Sequence, residues 1–92
     1  MVPNIESAEY VGGYTIRLRF SDGVIGDLNL ENELWGEVFA PLKDLKLFSG
    51  FWLDSELNTI AWPSGADLAP EFLYERASAQ QGAPAKEATP RR

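Results

Sequence analysis

From Tyr14 to Phe20 the chain alternates strictly, with Tyr14, Ile16, Leu18 and Phe20 set against Thr15, Arg17 and Arg19. A period of two sends successive side chains to opposite faces, so this stretch predicts a strand with one buried and one wet face. Upstream, Ile5 to Val11 has a more mixed strand pattern. It ends at Gly12-Gly13, a pair that readily takes the positive φ of a tight hairpin turn. Downstream, Ser21-Asp22-Gly23 supplies a turn, and Val24 to Leu30 returns as a third strand with Val24, Leu28 and Leu30 on one face. The three segments predict an antiparallel meander.

After Leu30 the period changes. Leu34, Trp35, Val38, Phe39 and Leu42 recur at the three- and four-residue spacing of a short amphipathic helix, which Gly36 and Pro41 limit to one or two turns. Leu45, Leu47 and Phe48 continue this apolar cover over the sheet. Phe51 to Leu53 and Thr59 to Trp62 then predict a second hairpin around the polar turn at 54–58. A turn-rich connection, 62–67, leads to a final short helix started by Pro70, whose missing N–H is not needed in the first turn, with Glu71 suited to the helix dipole. The predicted fold is α+β: a small antiparallel sheet, made of the meander plus a second short hairpin, covered by two short helices. Residues 1–77 form one compact domain, and 78–92, without a large apolar residue to bury, is expected to be a disordered polar tail. Ile16, Leu18, Phe20, Trp35, Phe39, Phe48, Trp62 and Leu73 are the expected core.

Composition narrows the chemistry. A chain of 92 residues, 45% hydrophobic and 12% aromatic, is rich enough to fold. A domain this small buries only roughly 60% of its unfolded surface, which makes a homodimer a natural source of added stability. There is no cysteine and no histidine. That removes thiol nucleophiles, zinc-thiolate sites, the commonest general base and the commonest metal ligand, so no catalytic residue, metal or cofactor is expected. The N-terminus has no signal-peptide pattern and no apolar run reaches a membrane span, so the expected location is cytoplasmic, with no membrane partner. Residues 1–77 hold thirteen acidic and five basic residues, a net charge of −8. That balance disfavours phosphate backbones, and direct nucleic-acid binding, which only Arg17, Arg19 and the tail could serve, is not expected.

A few constellations have functional readings to weigh. Asp54, Glu56 and Asn58 have the spacing of the first three oxygen ligands of a calcium loop, but Thr59 stands where the loop needs glycine and Gly65 where it needs glutamate. A solvated turn is the better reading. Asp67 and Glu71 could pair two carboxylates for acid–base work. The structural alternative, preferred here, makes Gly65 and Asp67 parts of a turn, with Gly65 at positive φ and the Asp67 carboxylate accepting backbone N–H groups near the last helix. Arg17 and Arg19 are expected to pair across strands with acids such as Asp27 or Glu9, and the three tryptophans to fill the core rather than line a pocket.

Phe20-Ser21-Asp22-Gly23, the run from Phe39 to Asp44, Phe48, and above all the run from Thr59-Ile60-Ala61-Trp62-Pro63 through Asp67-Leu68-Ala69-Pro70-Glu71, followed by Leu73-Tyr74, carry a resemblance. Over about residues 3–77 the chain resembles the bacterial domain-of-unknown-function family numbered 2442. The resemblance implies a compact α+β domain of bacteria and mobile elements, sometimes followed by a helix-turn-helix and often suspected of acting in toxin–antitoxin-like gene pairs. It brings no catalytic residues, and the tail here is too short and polar for a helix-turn-helix. The leading expectation is a non-enzymatic protein-interaction domain, antitoxin-like in such a pair. Its partner would be a basic protein met by Glu31, Glu33, Glu37, Asp54 and Glu56; the plainer reading of these acids is solubility. The alternative function is a small-molecule-binding or weakly catalytic domain using carboxylates and an aromatic pocket.

Overall fold

The computed structural model describes residues 2–82. The alternating stretch becomes strand β2 (Thr15–Phe20), with Ile16, Leu18 and Phe20 sealed from solvent and Arg17 and Arg19 outside. It is flanked on one side by antiparallel β1 (Ile5–Gly12), with Ala8 opposite Leu18 and Tyr10 opposite Ile16, and on the other by antiparallel β3 (Ile25–Asn29), with Leu28 opposite Ile16. Gly12 and Gly13, at φ 147° and 54°, make the first turn in backbone conformations that a side chain would strain. The second hairpin pairs β4 (Trp52–Asp54) with β5 (Thr59–Ala61). All of β5 is buried, including Thr59, whose hydroxyl donates to the Leu68 carbonyl. With the helices below, the architecture is α+β.

The segment between the hairpins departs from expectation. In place of an amphipathic helix over Leu34 to Leu42 there are two 3-10 turns, Glu31–Glu33 and Ala40–Lys43, followed by the single α-turn α1 (Leu45–Phe48). Gly36 is left-handed at φ 88°, and Pro41 enters at the start of the second 3-10 turn, so no 3.6-residue period is sustained between them. Leu34, Leu42 and Phe48 turn inward and Phe39 is half-buried, while Trp35 is 72% exposed and Val38, Leu45 and Leu47 also face solvent. Trp35 is therefore no core residue. Leu45 and Leu47 cover nothing, because one turn of helix can aim only one side at the sheet.

The last helix, α2 (Pro70–Gly82), runs past Ala77, and three contacts explain why. Leu73 and Ala77 are buried beneath it. Ala77 sits so close to β3 that a Cβ built on Gly26 would lie 2.8 Å from the Ala77 Cα. One turn later the Gln80 side-chain amide meets the outer edge of β3, accepting from the Asp27 N–H at 2.9 Å and donating to the Asp27 carbonyl. With Arg76 donating to the Asn29 carbonyl at 3.1 Å, α2 satisfies an edge that would otherwise offer free hydrogen-bonding groups. Ser78 to Gly82 is thus helix rather than tail; the rest of the expected tail, 83–92, lies outside the described residues.

At the other end of the core Trp62 is buried, its indole N–H donating to the Phe48 carbonyl at 2.7 Å. The rings of Phe39, Phe48 and Phe51 surround it at centroid distances of 6.4, 5.8 and 6.3 Å. Of the three tryptophans this one is core; Trp35 and Trp52 are exposed.

Candidate protein-docking surface

On the polar face of the meander Arg17 is matched, whereas Arg19, also expected to pair across strands, is exposed with no acidic partner among the described residues. Arg17 grips Asp27 with two hydrogen bonds, at 2.8 and 3.1 Å, and lies 3.8 Å from Glu9, the cross-strand pairing expected of it. The Arg17 guanidinium holds the Asp27 carboxyl below the usual carboxylate range and is itself raised. At the β2–β3 turn, Asp22 accepts from the Tyr74 hydroxyl and from the Val24 N–H at 3.0 Å. Those two hydrogen bonds, the phenol's first, lower the Asp22 pKa, and the same bond raises that of Tyr74.

The five acids expected to meet a partner are not one patch. Asp54 and Glu56 lie in the β4–β5 turn, where Asp54 Oδ1 accepts from the N–H groups of Glu56 at 2.9 Å and Leu57 at 3.1 Å. Asn58, left-handed at φ 55°, accepts from the Ile5 N–H at 3.0 Å, tying this turn to the Ile5–Phe20 end of the sheet. Asp54 Oδ1 and Asn58 Oδ1 are thus occupied by backbone donors, as in a structural turn. Glu31 and Glu33 follow β3 at the opposite end, where Leu30 bonds Tyr14 and Asn29 faces Thr15. The length of β2, about 17 Å at roughly 3.3 Å per residue, separates the two groups. Glu33 is also engaged by Arg76 at 3.6 Å, which leaves Glu31 and Glu37, near Trp35 along the chain, as acids with no ion-pair partner among the described residues.

The 62–67 connection is architectural, though not in the manner expected of Asp67. Gly65 has φ 92° and donates to the Trp62 carbonyl at 3.0 Å, while Trp62 donates to that of Ala66 at 3.0 Å. Asp67 takes part through its backbone, bridging Ala61, and its exposed carboxylate has no hydrogen-bond partner among the described residues. It stands too far before Pro70 to cap α2, whose first intrahelical bond runs from Leu73 to the Ala69 carbonyl. Nothing brings Asp67 and Glu71 together as an acid–base pair: both are exposed and neither has a partner among the described residues.

The surface that sequence reasoning missed is apolar. Between α1 and the Trp62 turn runs a groove of about 110 Å³ lined by Leu42, Lys46, Leu47, Gly50, Pro63 and Ser64. Ser64 donates to the Val38 carbonyl at 3.2 Å, which ties this wall of the groove to the loop that carries the exposed Val38. The volume lies below the roughly 300 Å³ at which small-molecule pockets begin, and the lining contains no aromatic ring and no carboxylate. It suits a protruding side chain. The signal available beforehand was Gly36 and Pro41, which break the helical period at the point where Trp35 and Val38 would have turned inward.

Among the described residues no group of acids could hold a metal ion, and no helix is long and apolar enough to cross a membrane. No curated protein and no solved structure matches the chain. The model of the family described as Protein of unknown function (DUF2442) matches residues 5–79, from the first residue of β1 to the last turns of α2, and the chain belongs to that family.

Proposed function

We propose that this chain is a non-enzymatic protein-interaction domain that docks a protein through the segment 35–47 and its groove, acting as the antitoxin-like member of a toxin–antitoxin-type gene pair. The observation that carries the reading is the outward aim of four large apolar residues on one short segment: Trp35, Val38, Leu45 and Leu47. Single exposed apolar residues are ordinary, but several in succession beside an apolar groove mark a contact surface. A tryptophan this exposed is the residue type most often found as an interface anchor. Glu31 and Glu37 beside it favour basic groups on the surface that docks there, whose approach they would steer.

The test is affinity capture from the organism that supplies the chain, with the wild-type domain and a Trp35→Ala, Leu47→Ser variant as paired baits. The expected result is a defined protein, encoded beside this chain's gene, that the wild type retains and the variant loses while remaining folded. Capture of the same proteins by both baits would refute the docking role of this segment, and a captured partner encoded elsewhere would refute the gene-pair role.

A further inference from the structure

We propose that the docking surface receives a second copy of this chain, the Trp35 side chain of each copy entering the groove of the other beside Lys46. The inference rests on the docking reading above and names its occupant.

The surface has two unlike halves. One is a projection: exposed Trp35 on a loop with Glu31 and Glu37, Glu33 being paired with Arg76. The other is a recess, apolar at Leu42, Leu47 and Pro63, with Lys46 on its wall; Lys43 precedes it, and Asp44 between the two lysines has one carboxylate oxygen occupied by the Lys46 N–H at 2.9 Å. Among the described residues Arg17 and Arg76 have ion-pair partners, whereas Arg19 on the meander and Lys43 and Lys46 beside the recess have none. The fold thus carries an acidic aromatic projection and an apolar recess with a lysine, Lys46, on its wall, each with the shape and charge the other lacks.

That complementarity selects the occupant. An unrelated basic protein would match the projection and leave the recess with its lysines unfilled, whereas a second copy fills both at once. Made twice about a two-fold axis, the contact closes on itself and requires no further subunit. At about 110 Å³ the recess matches one large side chain, and an indole beside an ammonium group gains a cation–π attraction on top of the burial of its area. The small core gives such burial weight, because a chain of this length hides only a modest share of its surface alone.

Sedimentation of the full 92-residue chain, from about 1 µM to about 1 mM, spans the dissociation constants of weak and moderate dimers. The expected result is a reversible dimer. Trp35→Ala should weaken it at least about 30-fold, as loss of an interface anchor does, and Lys46→Glu should weaken it as well. Both positions are exposed, and melting curves will show that each variant is folded. A mixture of the two variants should associate more tightly than either alone, because a mixed pair keeps one intact projection and one intact recess. Adding Glu37→Lys to Lys46→Glu should restore part of the loss. A wild-type chain that stays monomeric throughout, or a dimer indifferent to both substitutions, overturns the proposal. If the chain is monomeric while Trp35-dependent capture of another protein persists, the second-copy assignment fails and the docking reading stands.

Discussion

Gly26 occupies a core-facing position of β3, in phase with Val24, Leu28 and Leu30, where every other residue contributes a side chain. Replacing it with alanine adds one carbon, and that carbon would lie 2.8 Å from the Ala77 Cα and 2.9 Å from its Cβ, inside the separation real atoms tolerate. The obstacle is the backbone of a thirteen-residue helix, which cannot rotate aside as a side chain can. Either α2 lifts off the sheet or β3 is pushed out, and both strain the Gln80 and Arg76 bonds along the same contact. Overpacking of this kind costs about 1–3 kcal/mol. For a domain of this size each kcal/mol lowers the midpoint by roughly 4–8 °C, so Gly26→Ala should melt on the order of 10 °C below wild type by circular dichroism or calorimetry. Amide exchange should rise first in α2 and at Asp27. An unchanged midpoint would mean that helix and sheet are not in contact at this point, and the account of why α2 extends past Ala77 would fail with it.

Three further outcomes are expected. Trp62→Ala should cost about 3–5 kcal/mol through the cavity left among Phe39, Phe48 and Phe51 and the orphaned Phe48 carbonyl, while Trp35→Ala should stay within about 0.5 kcal/mol; similar urea midpoints for the two would refute the assignment of inside and outside. Asp67→Ala should likewise change stability by less than about 0.5 kcal/mol, since its carboxylate supports no backbone group, and a loss of 1 kcal/mol or more would restore the capping role. The Tyr74–Asp22 bond needs an ionised carboxyl and a protonated phenol. Asp22 has a lowered pKa when folded, so its contribution is full above the unfolded value near 4 and is lost as pH falls through the folded one; Tyr74, raised, contributes fully below about 10 and loses this as pH rises through its folded value. The stability gap between wild type and Tyr74→Phe should be widest near neutrality and narrow at both extremes, and a gap independent of pH would contradict the bond.

The strands and their turns were legible because their signals are local. Alternation from Tyr14 to Phe20 fixes which side of β2 is buried whatever packs on it, and Gly12-Gly13 and Asp22-Gly23 bend the chain using only their own backbone freedom. The Arg17–Asp27 pair followed from register once the meander was drawn. The family resemblance was likewise readable in the runs around Phe39 and Trp62, and the family match over residues 5–79 agrees with it.

What lay beyond the sequence depends on neighbours distant along the chain. Leu34 and Trp35 are adjacent and both apolar, yet one is sealed and the other open, because the loop that Gly36 turns can fill only the space left beside the sheet. Gly26 looks like a weak point in a strand until Ala77 is set against it, and the polar run after Ala77 stays helical because Gln80 finds the free edge of β3. Of the acids expected to meet a partner, Glu31 and Glu33 fall at one end of the meander and Asp54 and Glu56 at the other, since the register of β1 on β2, with the Asn58 bond to Ile5, carries the second hairpin to the far end. Periodicity determines which face of a regular element is apolar. Which apolar residues of an irregular segment are buried is decided by the volume that the other elements leave unfilled, and that volume exists only in the assembled fold.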